Sequence, residues 1–437
     1  MSILPPNPEN LRLISFGVQN FRVFKHEILS VDSLVTVLIG LNDTGKTTLL
    51  EAMYRYGQIA SKKGFRDALK DEDFSGVGEN ATRFVADWEL SGQRWRHGLV
   101  LDAEAPEEWL ENSTWRWSWN PKARQLTVQN GGQETVYSAK DLPRFDTLAK
   151  ISPKAWAVES DVPPEVYGPL EAVHGFQMPV AFLLEPTALA EAAPSAVLSP
   201  KRNGYGWASS LQDVINKRDN DIRNLEEHMH RLFPHFDCVL LREERWQINR
   251  EESEFGAEQS PGSDLGKVLS KSLPRNERDS LIYRLSEMES RREVLIGVRS
   301  LDGQNRRLRI PAAQVSSGLL IALASLTILY ATPSGQRIFF EEPENGLNAQ
   351  VTSDMMESIL AVAQERNQQV IISTHNSGWL DVVPLESIRI VSRDDNGAHI
   401  SPPDIERLKK SKAEGTYPSE ILYLTGPEGL LSKAQEK

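Results

Sequence analysis

The chain has 437 residues, enough at roughly 100–200 residues per domain for two to four compact units. Hydrophobic residues at 40% and charged residues at 25% argue against global disorder. The single cysteine, Cys238, excludes an internal disulfide framework and a cysteine-based zinc site, and a net charge of -12 excludes a surface that is positive all over.

Met1–Asn10 has neither a basic start nor an apolar core, so no export signal is read there. The longest mainly apolar run, Gly318–Ala331, is too short to span a bilayer and reads as a buried helix. The expected location is cytoplasmic, with no membrane partner.

In chain order, Leu11–Gly17 and Leu34–Ile39 read as strands and Lys46–Ala60 as a helix. Residues 81–140 are β-rich, and Trp115, Trp117 and Trp119 alternate so that one strand face carries all three rings. Leu211–Phe233 carries a helical stripe, residues 250–266 a polar loop, and residues 274–292 a second, charged helix. Glu293–Ser300 and Arg306–Pro311 flank Asp302-Gly303, a hairpin signal. Helix Gly318–Tyr330, strand Arg337–Phe340, helix Asp354–Arg366 and strand Gln369–Thr374 follow. The expected organisation is a head from 11–60 and 311–400, with a β-rich mixed lobe (61–200) inserted. A helical and hairpin lobe (201–310) and a C-terminal tail (401–437) complete it.

Gly40-Leu41-Asn42-Asp43-Thr44-Gly45-Lys46-Thr47 fits the phosphate-loop pattern G-x-x-x-x-G-K-[ST], with an apolar strand before it and a helix after it. Chance gives that pattern in roughly 1–2% of random chains of this length. The glycines let backbone N–H groups turn towards phosphates, and the helix N-terminus adds partial positive charge. Gly40, Asn42, Thr44, Gly45, Lys46, Thr47 and Thr48 are therefore the candidate ATP-binding residues. Lys46 would reach the β- and γ-phosphates, and the Thr47 hydroxyl would bind Mg2+. Arg337–Phe340 is an apolar strand that ends in carboxylates. Glu341 is the candidate for metal support, and Glu342 for the catalytic base.

Ser316, Ser317 and Gly318 open an apolar helix, where hydroxyl residues act as caps or free N–H groups bind an anion. His375 follows the strand Gln369–Thr374, at the edge where open α/β sheets bind ligands.

Together these motifs resemble the ABC-type ATPases of the RecF, SMC and OLD-like group. Asn20-Phe21-Arg22 matches that group's opening, and Glu341-Glu342-Pro343-Glu344-Asn345-Gly346-Leu347 its extended Walker B and D-loop. Ser316-Ser317-Gly318 looks like a degenerate signature motif, and Ser373-Thr374-His375 like the switch histidine region. The resemblance covers about residues 11–60 and 311–385. It implies an α/β, ABC-type P-loop ATPase head with a mixed β lobe, a helical insertion and no long coiled coil.

It also implies two heads pairing face to face around two ATP molecules, a pair on which a larger homo-oligomer could be built. One subunit would supply Lys46, Thr47, Glu341, Glu342, His375 and Arg22, and the other Ser316 and Gly318. The altered signature and the Glu at 341 imply slow or conditional hydrolysis. The 62 residues after His375 are expected to leave no room for a TOPRIM nuclease domain. The leading expectation is an ATPase that controls a separate nuclease or toxin effector in anti-phage defence. A nucleotide-gated scaffold with little hydrolysis, and a DNA-repair or DNA-end-sensing ATPase, are the alternatives. Arginines 291, 292, 299, 306, 307 and 309 cluster at the hairpin. They form either an acid-paired solvated face or a DNA phosphate-tracking patch.

Overall fold

The computed structural model describes residues 11–31, 33–60, 78–90, 92–137, 148, 178–217, 219–247, 288–299 and 307–431. They fall into two compact units. The first comprises Met1–Ala181, Thr332–Glu344 and Met355–Lys437; the second comprises Phe182–Ala331 and Asn345–Asp354.

The chain begins with β1 (Leu11–Phe21), β2 (Phe24–Ser30), β3 (Val35–Ile39) and α1 (Lys46–Gln58). A meander of β4 (Thr82–Leu90), β5 (Gln93–Leu101), β6 (Glu107–Glu111), β7 (Trp115–Asn120), β8 (Gln125–Asn130) and β9 (Gln133–Tyr137) follows. With β1 and β2 these strands form an eight-stranded sheet in the order β2-β1-β4-β5-β6-β7-β8-β9. β4 alternates buried and half-buried residues along its length, the pattern of a sheet with one face on a core. The β8–β9 turn is Gly131-Gly132, both at positive φ (54° and 91°), as a two-residue hairpin requires.

Trp117 and Trp119 are buried in the core, and Trp115 stacks on Trp117 with ring centroids 5.5 Å apart. The expectation that all three rings share a face holds for packing.

The next elements are β10 (Ala181–Phe182), α2 (Pro186–Ala190), β11 (Ala193–Pro194), α3 (Ala208–Lys217), α4 (Asp219–Leu232), β12 (Phe236–Gln247), β13 (Met288–Arg299), β14 (Arg307–Pro311) and α5 (Ser317–Ala331). β12 and β13 form a long antiparallel pair, extended by β14 and β11 along the other edge of β13. α5 is buried from Gly318 to Tyr330 on every side, which explains its uninterrupted apolar sequence.

The described residues of the stripe expected from Leu211 to Phe233 are helical as far as Leu232, in α3 and α4. One expectation changes here. Residues 288–292, expected as the end of a charged helix, are the first part of β13. The remainder of that expected helix, the 250–266 loop, Asp302-Gly303 and Arg306 lie outside the described residues. Arg299 and Arg307 both pair with Asp237, at 3.2 and 3.1 Å, which favours the acid-paired reading of this cluster.

The last part contains β15 (Arg337–Glu341), α6 (Ala349–Glu365), β16 (Gln369–Thr374), α7 (Trp379–Val382), β17 (Ile388–Asp394), β18 (Gly397–Ser401), α8 (Ile405–Ala413) and α9 (Pro418–Thr425). The six-stranded sheet runs β10-β15-β16-β3-β17-β18. All residues of β3, β15 and β16 are buried, as parallel strands covered on both faces require. β3 pairs in parallel with β16 and β17, so the N-terminal and C-terminal α/β parts do form one sheet.

Both sheets of the first unit contribute to one core, which includes Phe16, Phe84 and Trp88 with Tyr56 of α1 and Phe339, Ile371 and Val391. A polar chain runs through it. Trp88 Nε1 donates to the Tyr56 hydroxyl (3.2 Å), which bonds His97 Nδ1 (2.8 Å); His97 Nε2 meets Glu108 Oε1 (3.0 Å). The backbone N–H of Leu148 donates to Glu108 Oε2 (2.7 Å). Arg337 is buried with its guanidinium 4.8 Å from the Trp88 ring centre, and burial lowers its pKa to about 10. The Gln369 amide bonds both the N–H and the carbonyl of Leu13, at 2.7 and 2.8 Å, like one rung of a ladder.

Candidate functional site: a phosphate loop facing a glutamate–histidine pair

The loop between β3 and α1 lies against β17, the strand next to β3. A Cβ at Gly40 would come 2.0 Å from the Val391 carbonyl oxygen, so only glycine permits this approach. Gly45, at φ 109°, turns the chain into α1. Lys46 is the first helical residue and is buried, with Nζ donating to the carbonyls of Gly40 and Leu41, both at 2.9 Å. Thr44 Oγ1 donates to the Leu41 carbonyl at 3.0 Å. Asn42 and Thr47 are exposed and Thr48 is half-buried. Burial lowers the Lys46 pKa to about 8, against the upward pull of Glu342 and Glu344.

β15 ends in buried Glu341, which stands opposite Ser373 in the parallel register. Glu342 follows at φ 46°, a left-handed conformation that a non-glycine residue holds only when its surroundings enforce it. Its N–H donates to the Ser373 carbonyl at 2.8 Å, which supplies part of that enforcement. Glu342 Oε1 lies 3.1 Å from His375 Nε2. Burial and then the Lys46 charge lower the His375 pKa, with Glu342 opposing them. The structure therefore brings Lys46, Glu342 and His375 into mutual electrostatic reach.

Glu344 joins them and was assigned no role from sequence. Its Oε1 accepts from Thr374 Oγ1 (2.5 Å) and from the His375 backbone N–H (3.1 Å), which fixes the turn carrying the imidazole. Burial raises its pKa. The Glu-Glu-Pro-Glu run was the available signal, but nothing in it distinguishes a clamp from a solvated acid.

Arg22 is exposed at positive φ (49°) in the β1–β2 turn, with its guanidinium 5.1 Å from the Phe21 ring centre. A side chain at Gly45 would come within 3.1 Å of Val23 and Phe24, so this turn leans on the phosphate loop. His399 anchors the same region. Its Nδ1 lies 2.9 Å from Glu27 and its Nε2 3.1 Å from Asp394, joining β2 to the β17–β18 hairpin.

Ser316, Ser317 and Gly318 belong to the second unit. Within it, a Cβ at Gly318 would lie 2.5 Å from the Gly346 carbonyl oxygen, and Gly346 sits at φ 82°. The start of α5 and the D-loop segment are thus packed backbone to backbone.

The profile of a family described as "AAA domain, putative AbiEii toxin, Type IV TA system" matches residues 35–381. The chain belongs to this family. As a member of the AbiEii-type AAA family it is of the ATPase class, with the ABC-type head that its motifs resemble. No curated protein matches the chain. Solved structures similar to it include an SMC head domain from Thermotoga maritima, 11% identical at TM-score 0.38, covering 90% of this chain and 98% of that one. An Smc head bound to the C-winged helix domain of ScpA is 11% identical at TM-score 0.44, covering 91% and 99%. An Smc head with an extended coiled coil, bound to the C-terminal domain of ScpA derived from Pyrococcus furiosus, is 10% identical at TM-score 0.43, covering 92% and 99%. Among the described residues no helix is long and apolar enough to cross a membrane.

Proposed function

We propose that this AbiEii-type AAA protein is a Mg2+-dependent ATPase whose two copies pair head to head around ATP. Closing and opening of that pair would control a separate nuclease or toxin effector in anti-phage defence. The observation that carries the ATPase reading is the convergence of Lys46, Glu342 and His375 behind a phosphate loop. The family's description, which names a toxin and a toxin–antitoxin system, supports the defence context.

The chemistry follows from the residues. Charged Lys46 would exchange its two carbonyl partners for phosphate oxygens. Glu342 would accept a proton from the water that attacks the γ-phosphate. His375 is held neutral by burial and by Lys46, so it can donate Nε2–H to Glu342 and orient that carboxylate. The donors on hand, a threonine hydroxyl and carboxylates, are hard oxygens that fit magnesium. Thr47 and Glu341 would hold such an ion. Bound there, it would neutralise charge on the phosphates. Ser316 and Gly318 of a partner subunit would complete the site.

Steady-state ATP hydrolysis over a range of protein concentrations, with and without duplex DNA, tests this. A specific rate that rises with protein concentration is expected. Tight ATP binding with negligible turnover in every condition would replace the ATPase reading by that of a nucleotide-gated scaffold.

A further inference from the structure

The phosphate loop carries a carboxylate, Asp43, in a segment whose ligand would be a polyanion. Like charges a few ångströms apart repel, so charge alone makes this residue unfavourable there. The backbone explains only part of the choice. Asp43 sits at φ 61°, which Gly, Asn and Asp tolerate best. Gly or Asn would supply that conformation without the charge.

The compensating charge comes from β17. Arg393 Nη1 donates to Asp43 Oδ2 at 3.0 Å and to the Asp43 main-chain oxygen at 3.2 Å. The two contacts do different things. The ion pair cancels the carboxylate. The second bond fixes the plane of the Asp43–Thr44 peptide. A trans peptide sets its N–H opposite its C=O, so this bond also fixes the direction of the Thr44 N–H, one of the loop's donors. The Gly40 and Leu41 carbonyls are held by Lys46, and the Asp43 carbonyl by Arg393.

The geometry points to Arg393 as a positioning residue for phosphate binding that acts through Asp43. It neutralises the loop's own carboxylate and holds the loop backbone in the form that receives the anion. This rests on the reading of Gly40–Thr47 as a phosphate loop. The pair is exposed, with side chains 40% and 92% accessible, and exposed pairs contribute little to folding. Its effect therefore falls on the ligand and not on the melting temperature.

The test is a titration of the full chain with Mg-ATPγS at low and high salt. Arg393→Ala is expected to weaken binding about fivefold to tenfold at low salt, less at high salt, with an unchanged melting temperature. Asp43→Asn, added to Arg393→Ala, is expected to recover most but not all of the lost affinity, because the charge needing cancellation is gone while the bond to the Asp43 main-chain oxygen stays lost. Unchanged binding by Arg393→Ala overturns the inference. So does a double variant that recovers nothing, since the Asp43 charge would then have no part in the loss. Should Arg393→Ala not fold, Arg393→Gln carries the same test with the side-chain length kept. A wild-type chain that binds no Mg-ATPγS overturns the phosphate-loop reading instead, which is a distinguishable failure.

Discussion

Glu342 and His375 face each other at 3.1 Å, and the Lys46 charge acts on both. On the proposed reading, with Glu342 as base, His375 as its orienting group and Lys46 on the phosphates, the pair would act on the chemical step more than on nucleotide binding. Glu342→Gln is expected to lower kcat for ATP by about a hundredfold or more while ATP still binds. His375→Ala should lower it by a smaller factor, and the double variant should be no worse than Glu342→Gln. Steady-state kinetics check this; additive losses would mean that the two residues act separately.

Lys46 gives the site a pH dependence of defined sign. Burial lowers its pKa to about 8, so above that value the folded protein holds a neutral amine. Phosphate binding needs the charged form. ATP affinity is therefore expected to fall as pH rises through about 8, with proton uptake on binding. Calorimetry at pH 7 and 9 in buffers of different ionisation enthalpy reads both effects. For stability the sign is opposite. The unfolded lysine titrates near 10.4, so the cost of burying the charge is complete below about 8 and fades between 8 and 10.4.

The packing of Gly318 on Gly346 predicts an intolerant position. The group that an added methyl would meet is a backbone carbonyl, 2.5 Å away, and it cannot rotate aside as a side chain would. Gly318→Ala is expected to displace the start of α5 from the D-loop segment. Turnover should fall about tenfold to a hundredfold while each chain still binds ATP. Full turnover by this variant would remove α5's N-terminus from the composite site.

The polar chain through the first unit's core predicts a large stability effect far from the nucleotide. Glu108 is fully buried and accepts from both His97 and the Leu148 N–H. Glu108→Leu removes that acceptor from both groups and is expected to cost about 3 kcal/mol or more in urea unfolding. A loss under about 1 kcal/mol would show that the network adds little to folding.

His399 predicts a pH effect on stability opposite in sign to that of Lys46. Burial opposes its charge, but Asp394 and Glu27 outweigh this and raise its pKa. A raised folded value means that its contribution is complete below the unfolded value near 6.5 and disappears as pH rises through the folded value. The melting-temperature difference between wild type and His399→Gln should therefore be larger at pH 6 than at pH 9. An equal difference at both would leave only packing.

The phosphate loop and the strands around it were legible because β3, β15 and β16 are continuous apolar runs that stop at residues with distinctive chemistry. The start of β13 was not legible. Arg291 and Arg292 read as the end of a charged helix, yet Arg292 stands opposite Glu243 in the β12–β13 register. Hydrophobic period cannot register such a partner. Glu344 and Arg393 act through contacts with residues 31 and 350 positions away, so no local pattern carries their roles.

β3 sets the order in which the molecule can be made. Its neighbours are β16 and β17, more than 330 residues downstream, and the Gln369 amide that clips Leu13 comes equally late. During synthesis, β1, β2 and the strands β4 to β9 can pair as soon as they emerge. The Gly40–Thr47 loop cannot take up its seat against Val391 until β17 has left the ribosome. On the proposed reading, a product cut short before β17 would therefore lack a nucleotide-competent loop.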